Sequence, residues 1–342
     1  MTGAPAAVVA RAPGRVNLIG DHTDYTGGLC LPMAVDRWVE VTGFPSDDAV
    51  VRLTSDAEAE PAEVRLPMAD GDVADIRPEW ARYVAGVVAE LRPRRGFRGA
   101  VTSTVPIGAG LSSSAALEVA VALVLGADPG DRLALAERCR AAEHRARGVP
   151  TGLLDQLSCL CGVAGHALIL DCSSGAVTPT PLPPAEMAEV VVVNTGPRSL
   201  GESGYAERVR QCAAAESLIG PLRLADTDDV ERIDDPVLRA RARHVVSENR
   251  RVPQLADALR AGDLVGAGRL IDASHDSLRA DYEATTPAVE RRRAELRRRP
   301  GVFGVRMTGG GWGGCVVALT RPGALTEGWV VRAVAGASVT FG

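Results

Sequence analysis

Lysine is absent from the chain: all 38 basic residues are arginine. A Walker-A phosphate loop needs its lysine, and Schiff-base or pyridoxal-phosphate enzymes need an ε-amine, so these chemistries are excluded. Basic charge is also in deficit, because 43 acidic residues leave a net charge of -5. We therefore expect no nucleic-acid partner and no attraction to anionic lipid from the overall charge.

Long apolar runs are also missing. The best apolar stretch, residues 115–125, is interrupted by Glu118 and falls short of the roughly 18 residues of a membrane span. No basic segment followed by an apolar stretch opens the sequence, so we expect neither secretion nor a membrane partner. The seven cysteines are an odd number, which fits a reduced cytoplasm better than a disulfide framework. We expect a cytoplasmic monomer.

The length of 342 residues is comfortable for two packed domains. Composition and periodicity predict strands at residues 6–12, 29–42, 50–54, 97–105, 166–172, 190–194, 302–307, 315–320 and 338–341. Helices are predicted at residues 79–91, 112–125, 131–147 and 153–161 and over most of 203–299. Strands, then helices, then strands without a regular βαβ alternation predict an α+β fold. The proline-rich stretch 178–184 is the predicted junction between domains 1–183 and 184–342, with an ordinary loop as the alternative.

A glycine- and serine-rich segment precedes the helix at residues 112–125. Residues 106–116 read Pro-Ile-Gly-Ala-Gly-Leu-Ser-Ser-Ser-Ala-Ala. Gly108 and Gly110 let the backbone approach a ligand closely, and the unpaired N–H groups of the helix start suit a phosphate. The hydroxyls of Ser112, Ser113 and Ser114 can bind phosphate or Mg²⁺, or can simply cap a buried helix. Both interpretations stay open, whereas a dinucleotide fingerprint is disfavoured because Ser113 replaces its third glycine.

Two further glycine-rich segments lie near the ends of the chain. Residues 11–28 place two carboxylates, an imidazole and a hydroxyl at Asp21, His22, Thr23 and Asp24. This set can grip sugar hydroxyls, and the alternative is an exposed turn whose aspartates satisfy their own backbone. Residues 306–315 read Arg-Met-Thr-Gly-Gly-Gly-Trp-Gly-Gly-Cys. They fit either a hairpin or a backbone that passes close to a ligand.

Two isolated carboxylates and one tryptophan complete the candidates. Glu143 lies late in the helix predicted at residues 131–147. Asp155 interrupts an apolar stretch, where an unpaired carboxylate is costly to bury, although a helix N-terminal position would also explain it. Trp80 is interpreted as a core residue of its helix.

In this order, the three segments resemble the GHMP kinase superfamily, and the first segment narrows the resemblance to its galactokinase family. Residues 14–25 match the signature G-R-x-N-L-I-G-E-H-T-D-Y at every fixed position except Asp21, where glutamate is usual. Agreement continues with Ala142-Glu-His, Gly152-x-x-Asp-Gln, Gly165-His-Ala-Leu-x-Leu-Asp-Cys and Ser203-x-Tyr-x-x-Arg. The resemblance covers residues 11–320. Its departures are Asp21, Ala206 after Tyr205 and the pair Gly309-Gly310.

The resemblance implies a two-domain fold and an ATP site. The N-terminal domain would be like one half of ribosomal protein S5, and the C-terminal domain would be ferredoxin-like. The ATP-binding phosphate loop would consist of Gly108, Ala109, Gly110, Leu111, Ser112, Ser113 and Ser114. The resemblance also offers an alternative for Trp80, because the family places a tryptophan on a helix of this kind near the adenine. Ser114 and Glu143 would hold Mg²⁺, which agrees with the habit of this ion to use one carboxylate, a few oxygens and nucleotide phosphates.

The resemblance also implies a galactose site and a reaction. Asp155 would be the catalytic base facing the anomeric hydroxyl, and Arg15 would keep it ionised and stabilise charge on the transferring phosphoryl group. Galactose would be contacted by Asp21, His22, Thr23 and Asp24, with Tyr205 closing the site. The product would be galactose 1-phosphate.

Three alternatives remain at this level. The departures near the site leave room for a related sugar, arabinose or N-acetylgalactosamine. A catalytically inactive sugar sensor is a second alternative, against which the intact Ser114, Glu143 and Asp155 speak. A mevalonate-type kinase is disfavoured, because the carboxylates at residues 21 and 24 suit a negatively charged substrate poorly.

Overall fold

The computed structural model describes residues 6–68, 73–106, 110–196 and 204–342. Its strands are β1 Val8–Asn17, β2 Leu29–Cys30, β3 Pro32–Ser46, β4 Val50–Ser55, β5 Ala62–Arg65, β6 Gly96–Ser103, β7 His166–Asp171, β8 Ala176–Pro181, β9 Glu189–Gly196, β10 Val302–Thr308, β11 Gly314–Thr320, β12 Trp329–Val331 and β13 Ser338–Phe341. Its helices are α1 Ala81–Leu91, α2 Ser113–Val124, α3 Arg132–Arg147, α4 Leu154–Cys161, α5 Tyr205–Ile219, α6 Thr227–Glu231, α7 Pro236–Ala261, α8 Leu264–Ala280 and α9 Pro287–Arg297. Short 3₁₀ helices cover Asp24–Thr26 and Val73–Asp75.

The predicted α+β class is confirmed, and every predicted strand and helix has a counterpart. The strands β5, β8 and β12 were not predicted. Strand β8 covers the first half of residues 178–184, the stretch interpreted as a domain junction. It forms an antiparallel hairpin with β7. It lies at the edge of the sheet ordered β2-β7-β8, where proline does not interrupt an interior ladder.

Two larger sheets carry the rest of the strands. One sheet has the order β13-β1-β3-β6-β4-β5, and the other has the order β10-β11-β9-β12. The pair β4 and β6 is parallel. Strand β13 returns from the C-terminal end of the chain to pair with β1. The division at residue 183 stays a prediction, and the sheet of the first half includes this last strand.

Strand β9 separates two hydrophobic cores. Successive side chains of a strand point to opposite faces of the sheet. Val190 and Val192 belong to the larger core, formed with the six-stranded sheet and α1 to α4. Val191 and Val193 belong to the smaller core, formed with residues of α5 and α7 to α9. Four consecutive valines in β9 suit a strand that is buried on both faces.

Helix ends place the candidate residues. Helix α3 begins where the Asp131 side chain accepts a hydrogen bond from the Ala134 N–H, and it ends at Gly148 in the left-handed conformation. Both ends agree with the prediction, and they put Glu143 near the helix C-terminus. Asp155 lies in the first turn of α4. Within the described part of the chain, no helix combines the length and hydropathy needed to span a membrane.

Candidate active site

Two adjoining cavities lie where the N-termini of α2 and α4 meet the C-terminus of α3. The larger cavity has a volume of about 500 Å³ and is lined by Trp80, Leu117, Gly110 and the serines 112–114, among others. The smaller cavity is lined by Asp21, His22, Asp24, Tyr205 and Glu143, together with Gly152, Gly309 and Gly310. The predicted phosphate-loop residues and the predicted sugar-binding residues thus fall mostly in two separate spaces.

Arg15 and Asp155 meet at the junction of these cavities and line both. The Arg15 Nε donates to Asp155 Oδ1 at 2.7 Å, and its Nη1 donates to the Gly110 carbonyl oxygen at 2.6 Å. Burial by itself would lower the pKa of Arg15, but the charge and hydrogen bond of Asp155 outweigh it and raise the pKa. The guanidinium is therefore a permanent cation beside the carboxylate.

Ser112 makes a contact that the sequence did not predict. Its backbone is left-handed, with φ of 58°, and its side chain makes no capping bond to α2. The hydroxyl instead donates to Asp155 Oδ2. Capping is thus not the role of Ser112, and the Asp155 carboxylate is held at both oxygens, by Arg15 on one side and Ser112 on the other.

The rest of the predicted phosphate loop divides into three groups. Gly110, Ser113 and Ser114 line the larger cavity, and Gly110 has a φ of 72°, which favours glycine. Leu111 does not line it: its side chain is buried in the larger core, and its carbonyl oxygen accepts the Arg15 N–H at 3.0 Å. The predicted residues Gly108 and Ala109 lie outside the described residues.

Glu143 is buried within a polar network. Its Oε1 accepts from Ser114 Oγ at 3.3 Å and from Arg147 Nη1 at 2.9 Å. Its Oε2 accepts from Thr151 Oγ1 at 3.3 Å and from Gln156 Nε2 at 3.0 Å. Helices α2, α3 and α4 all contribute, so the packing of three helices fixes this carboxylate.

Glu118, noted in the sequence only as a break in an apolar run, is part of the same network. It is fully buried and accepts from Gln156 Nε2 at 3.3 Å. Burial raises the pKa of Glu118 well above its usual value, and the nearby charge of Glu143 adds to the shift. Glu118 thus supports Glu143 through Gln156, whose Nε2 donates to both carboxyl groups.

The predicted sugar-binding residues do not all face the smaller cavity. Asp21, His22, Asp24 and Tyr205 line it, whereas Thr23 does not. Thr23 is buried, and its hydroxyl oxygen lies 2.9 Å from the carbonyl oxygen of Gly20 and 2.7 Å from that of Leu29, either of which can accept its one proton. A direct sugar contact by the Thr23 side chain is therefore not what the structure shows, because this hydroxyl closes the turn that carries the other residues.

Aromatic rings form one side of the smaller cavity. The His22 ring centroid lies 5.6 Å from that of Tyr205 and 4.5 Å from that of Tyr282. The Nδ1 of His22 is 3.0 Å from the hydroxyl oxygen of Tyr25, and Tyr25 in turn contacts Tyr282. This packing holds His22 in its left-handed backbone conformation, with φ of 65°.

Asp24 sits in a crowded and negative environment. Desolvation, followed by the charges of Asp155 and Asp21, raises the pKa of Asp24 to about 7. Gly152 packs directly against this side chain, since a Cβ there would lie 2.2 Å from Asp24 Oδ2. Glycine at position 152, in the motif Gly152-x-x-Asp-Gln, is thus required for the close approach of Asp24.

The glycine cluster of residues 309–314 fits both of its proposed descriptions, because it joins the hairpin of β10 and β11 and also borders the smaller cavity. The N–H of Gly309 donates to Asp21 Oδ1 at 3.2 Å. Arg306, fully buried, forms an ion pair with Asp21 and lies 3.9 Å from Glu248 Oε1. No local pattern in the sequence marks Arg306 as the partner of Asp21.

Helix α7 holds the same turn from outside. Glu248 Oε1 accepts the Gly20 N–H at 3.0 Å, Asn249 Oδ1 accepts the Leu29 N–H at 2.7 Å, and His244 Nε2 lies 3.1 Å from the Asp21 carbonyl oxygen. These positioning residues were missed, because no periodicity links α7 to a turn more than 200 residues earlier in the chain.

Trp80 packs against the core, as its helix position predicted, and also lines a cavity. It is half-buried and lines the larger cavity, and its Nε1 donates to the Glu60 carbonyl oxygen at 3.0 Å. It is thus a wall residue of the cavity as well as a neighbour of the core.

An ion that prefers oxygen ligands fits the Ser114–Glu143 pair. The Ser114 hydroxyl lines the larger cavity and the Glu143 carboxylate lines the smaller one, and the two groups lie 3.3 Å apart. The described residues contain no group of three or more His, Cys, Asp or Glu side chains able to hold a metal without further ligands. The pair therefore suits Mg²⁺ that is also bound by a nucleotide, since this ion commonly uses one or two carboxylates plus phosphates.

Comparisons with known proteins agree with this geometry. The family model described as the galactokinase galactose-binding signature matches residues 1–43, and the GHMP kinase N-terminal and C-terminal models match residues 82–163 and 255–327. The chain is 42% identical to human galactokinase, covering 94% of this chain and 86% of that protein. It is 41% identical to galactokinase of Chloroflexus aurantiacus, covering 96% and 90% of the two chains.

Solved structures give the same result. The crystal structure of Lactococcus lactis galactokinase complexed with galactose matches with a TM-score of 0.89 and 30% identity, covering 97% of this chain and 95% of that one. The mevalonate kinase of L. major shares the fold alone, with a TM-score of 0.64 and 19% identity. The chain belongs to the galactokinase family of GHMP kinases.

Proposed function

We propose that this protein transfers the γ-phosphoryl group of ATP to the anomeric hydroxyl of galactose. The observation that carries the proposal is the Arg15–Asp155 pair, which lies where the two cavities meet. A phosphate donor in the larger cavity and a hydroxyl acceptor in the smaller one would reach each other at this pair. The similarity to galactokinases, including one solved with galactose, supports the choice of sugar.

In this reaction Asp155 accepts the proton of the anomeric hydroxyl. The hydroxyl oxygen forms a bond to the γ-phosphorus while the bond from that phosphorus to the bridging oxygen of ADP breaks. Phosphoryl transfer passes through a loose transition state, so catalysis depends mainly on positioning and charge. Arg15 and Ser112 each hold one oxygen of Asp155. The carboxylate is therefore already oriented toward the acceptor hydroxyl before the reaction.

The larger cavity has the two environments that a nucleotide needs. Trp80 and Leu117 offer an apolar wall for a base, while the α2 N-terminus offers unpaired N–H groups and a positive dipole end for phosphates. Ser114 and Glu143 would hold Mg²⁺, which when bound neutralises phosphate charge. The seven cysteines are free and buried, which supports a cytoplasmic enzyme, and we propose that it acts as a monomer.

The direct test is ATP-dependent phosphorylation of a panel of free sugars. We expect galactose 1-phosphate from galactose, with much lower kcat/KM for arabinose and N-acetylgalactosamine. A clear preference for another sugar would leave the proposed reaction type unchanged but would identify that sugar as the substrate. Absence of ADP release with every sugar would contradict the proposal and favour the sugar sensor.

Replacing Glu143 is expected to raise the Mg²⁺ requirement. In Glu143→Ala, and more conservatively in Glu143→Gln, the Mg²⁺ concentration for half-maximal turnover should rise by about tenfold or more, because a charged oxygen ligand is lost. The measurement is a Mg²⁺ titration at saturating ATP and galactose. Glu137→Gln, an exposed change on the same helix, is the control. An unchanged titration in both Glu143 variants would remove this residue from the metal site.

Asp24 is expected to make the stability of the ligand-free protein depend on pH. Its pKa is about 7 in the folded protein and about 4 in an unfolded chain. The folded state therefore holds an extra proton between these values, and the stabilisation from this proton is lost as pH rises through 7. Asp24→Asn should stabilise the protein relative to the native sequence more at pH 8 than at pH 5. The measurement is the difference in Tm at the two pH values, and an equal difference at both would contradict the raised pKa.

A further inference from the structure

Three described side chains line both cavities: Arg15, Asp155 and Arg147. The first two form the proposed catalytic pair. Arg147 is the last residue of α3 and has no assigned part in the reaction. Its position at the same junction raises the question of what a second guanidinium does there.

Three of the five N–H donors of Arg15 are already used by acceptors of the protein. Its Nε and Nη2 both engage Asp155, and its Nη1 donates to the Gly110 carbonyl oxygen. All three of its nitrogens thus have protein acceptors. The protein uses this cation mainly to fix the position of the Asp155 carboxylate.

Arg147 is engaged at only one nitrogen. Its Nη1 donates to Glu143 Oε1 at 2.9 Å, and its side chain keeps 18% of its surface exposed. Within the four described stretches of the chain, Nε and Nη2 have no hydrogen-bond acceptor. Its charge also suits the C-terminal end of α3. Neither the helix dipole nor the ion pair with Glu143 explains why Arg147 keeps unused N–H donors where the two cavities meet.

We infer that Arg147 binds the terminal phosphoryl group of the nucleotide and stabilises its charge during transfer. This inference rests on the proposed function. A guanidinium presents several N–H donors in a plane, which matches the oxygens of a phosphate. The two arginines therefore divide the work: Arg15 orients the base, and Arg147 receives the phosphoryl oxygens on the side of Glu143.

The test measures nucleotide affinity without metal, by calorimetric titration in EDTA, so that it does not depend on turnover. Arg147→Met should weaken ATP binding by about tenfold or more, because a charge-assisted hydrogen bond is lost, while AMP affinity stays unchanged. The ATP affinity of Arg147→Lys should lie between that of the native protein and that of Arg147→Met. Turnover of galactose should drop in Arg147→Met with little change in the KM for galactose. Arg145→Met is the matched control: Arg145 lies on the same helix, pairs with Glu90 and lines neither cavity.

A role through Glu143 alone is separated by a double variant. If Arg147 only supports Glu143, then Arg147→Met will not weaken metal-free ATP binding further in a Glu143→Gln background, and the inference is overturned. Equal weakening of ATP and AMP would also overturn it. If the native protein phosphorylates galactose and Arg147→Met binds ATP normally, the inference alone fails. If the native protein binds no ATP, the proposed function fails and the inference fails with it.

Discussion

Asp155→Asn is expected to lower kcat for galactose phosphorylation by about 10²–10⁴-fold, the usual contribution of a general base. The amide is close to the carboxylate in shape but cannot accept the proton of the sugar hydroxyl. It also loses the ion pair with Arg15, whose Nη2 lies 2.5 Å from Asp155 Oδ1. In the proposed site the nucleotide would contact mainly the serines of α2 and the apolar wall, so ATP binding should stay near its native value.

The measurement is ADP release at saturating ATP and galactose, combined with a calorimetric titration of ATP. Asp257→Asn is the control, because Asp257 is highly exposed, pairs with Arg260 on its own helix and lines neither cavity. Near-native turnover in Asp155→Asn would remove Asp155 from the role of base. Loss of ATP binding in the same variant would mean that the carboxylate serves the nucleotide instead.

Arg306→Met is expected to cost about 3–5 kcal/mol of the free energy of unfolding, the range found when one partner of a buried ion pair is removed. Arg306 is fully buried and faces the carboxylates of Asp21 and Glu248. Without it, two buried carboxylates face each other, and the Gly309 N–H and Arg251 are left among their partners. The affinity for galactose should fall as well, since Asp21 loses the partner that fixes its position in the smaller cavity.

Urea unfolding followed by circular dichroism measures this change. Arg279→Met is the matched control, because Arg279 is half-exposed and its pair with Asp276 lies at the surface, where such a pair contributes about 1 kcal/mol or less. The double variant Asp21→Asn with Arg306→Met should recover part of the lost stability. A loss in Arg306→Met no larger than that of the control would show that the buried pair does not stabilise the fold.

Local sequence features predicted local structure well. The helix predicted at residues 131–147 agrees with α3 at both ends, because the side-chain acceptor at Asp131 and the left-handed Gly148 act over a few residues. The same reasoning failed at β8, because proline looked like a loop signal while edge position made it acceptable in a strand. It also did not show that Trp80 lines a cavity, since a large aromatic on a helix face looks the same whether it meets the core or a cavity wall.

The direction in which a side chain points was harder to predict from the sequence. Thr23 stands in the middle of a polar cluster, yet its hydroxyl turns inward to two carbonyl oxygens. Ser112 stands where a helix cap is expected, yet its left-handed backbone sends its hydroxyl to Asp155. In both cases one backbone conformation decides between a ligand contact and a protein contact, and residue type does not encode that choice.

What the amino-acid sequence determined by itself was the chemistry: no lysine, a glycine–serine turn before a helix, and the ordered motifs that mark a galactokinase-family chain. Only the tertiary structure decided which groups meet. It joined Ser112 to Asp155, left Arg147 at the junction of the two cavities and set Arg306 against Asp21. These contacts join residues far apart in the chain, and their geometry follows from how sheets and helices pack, which no local pattern specifies.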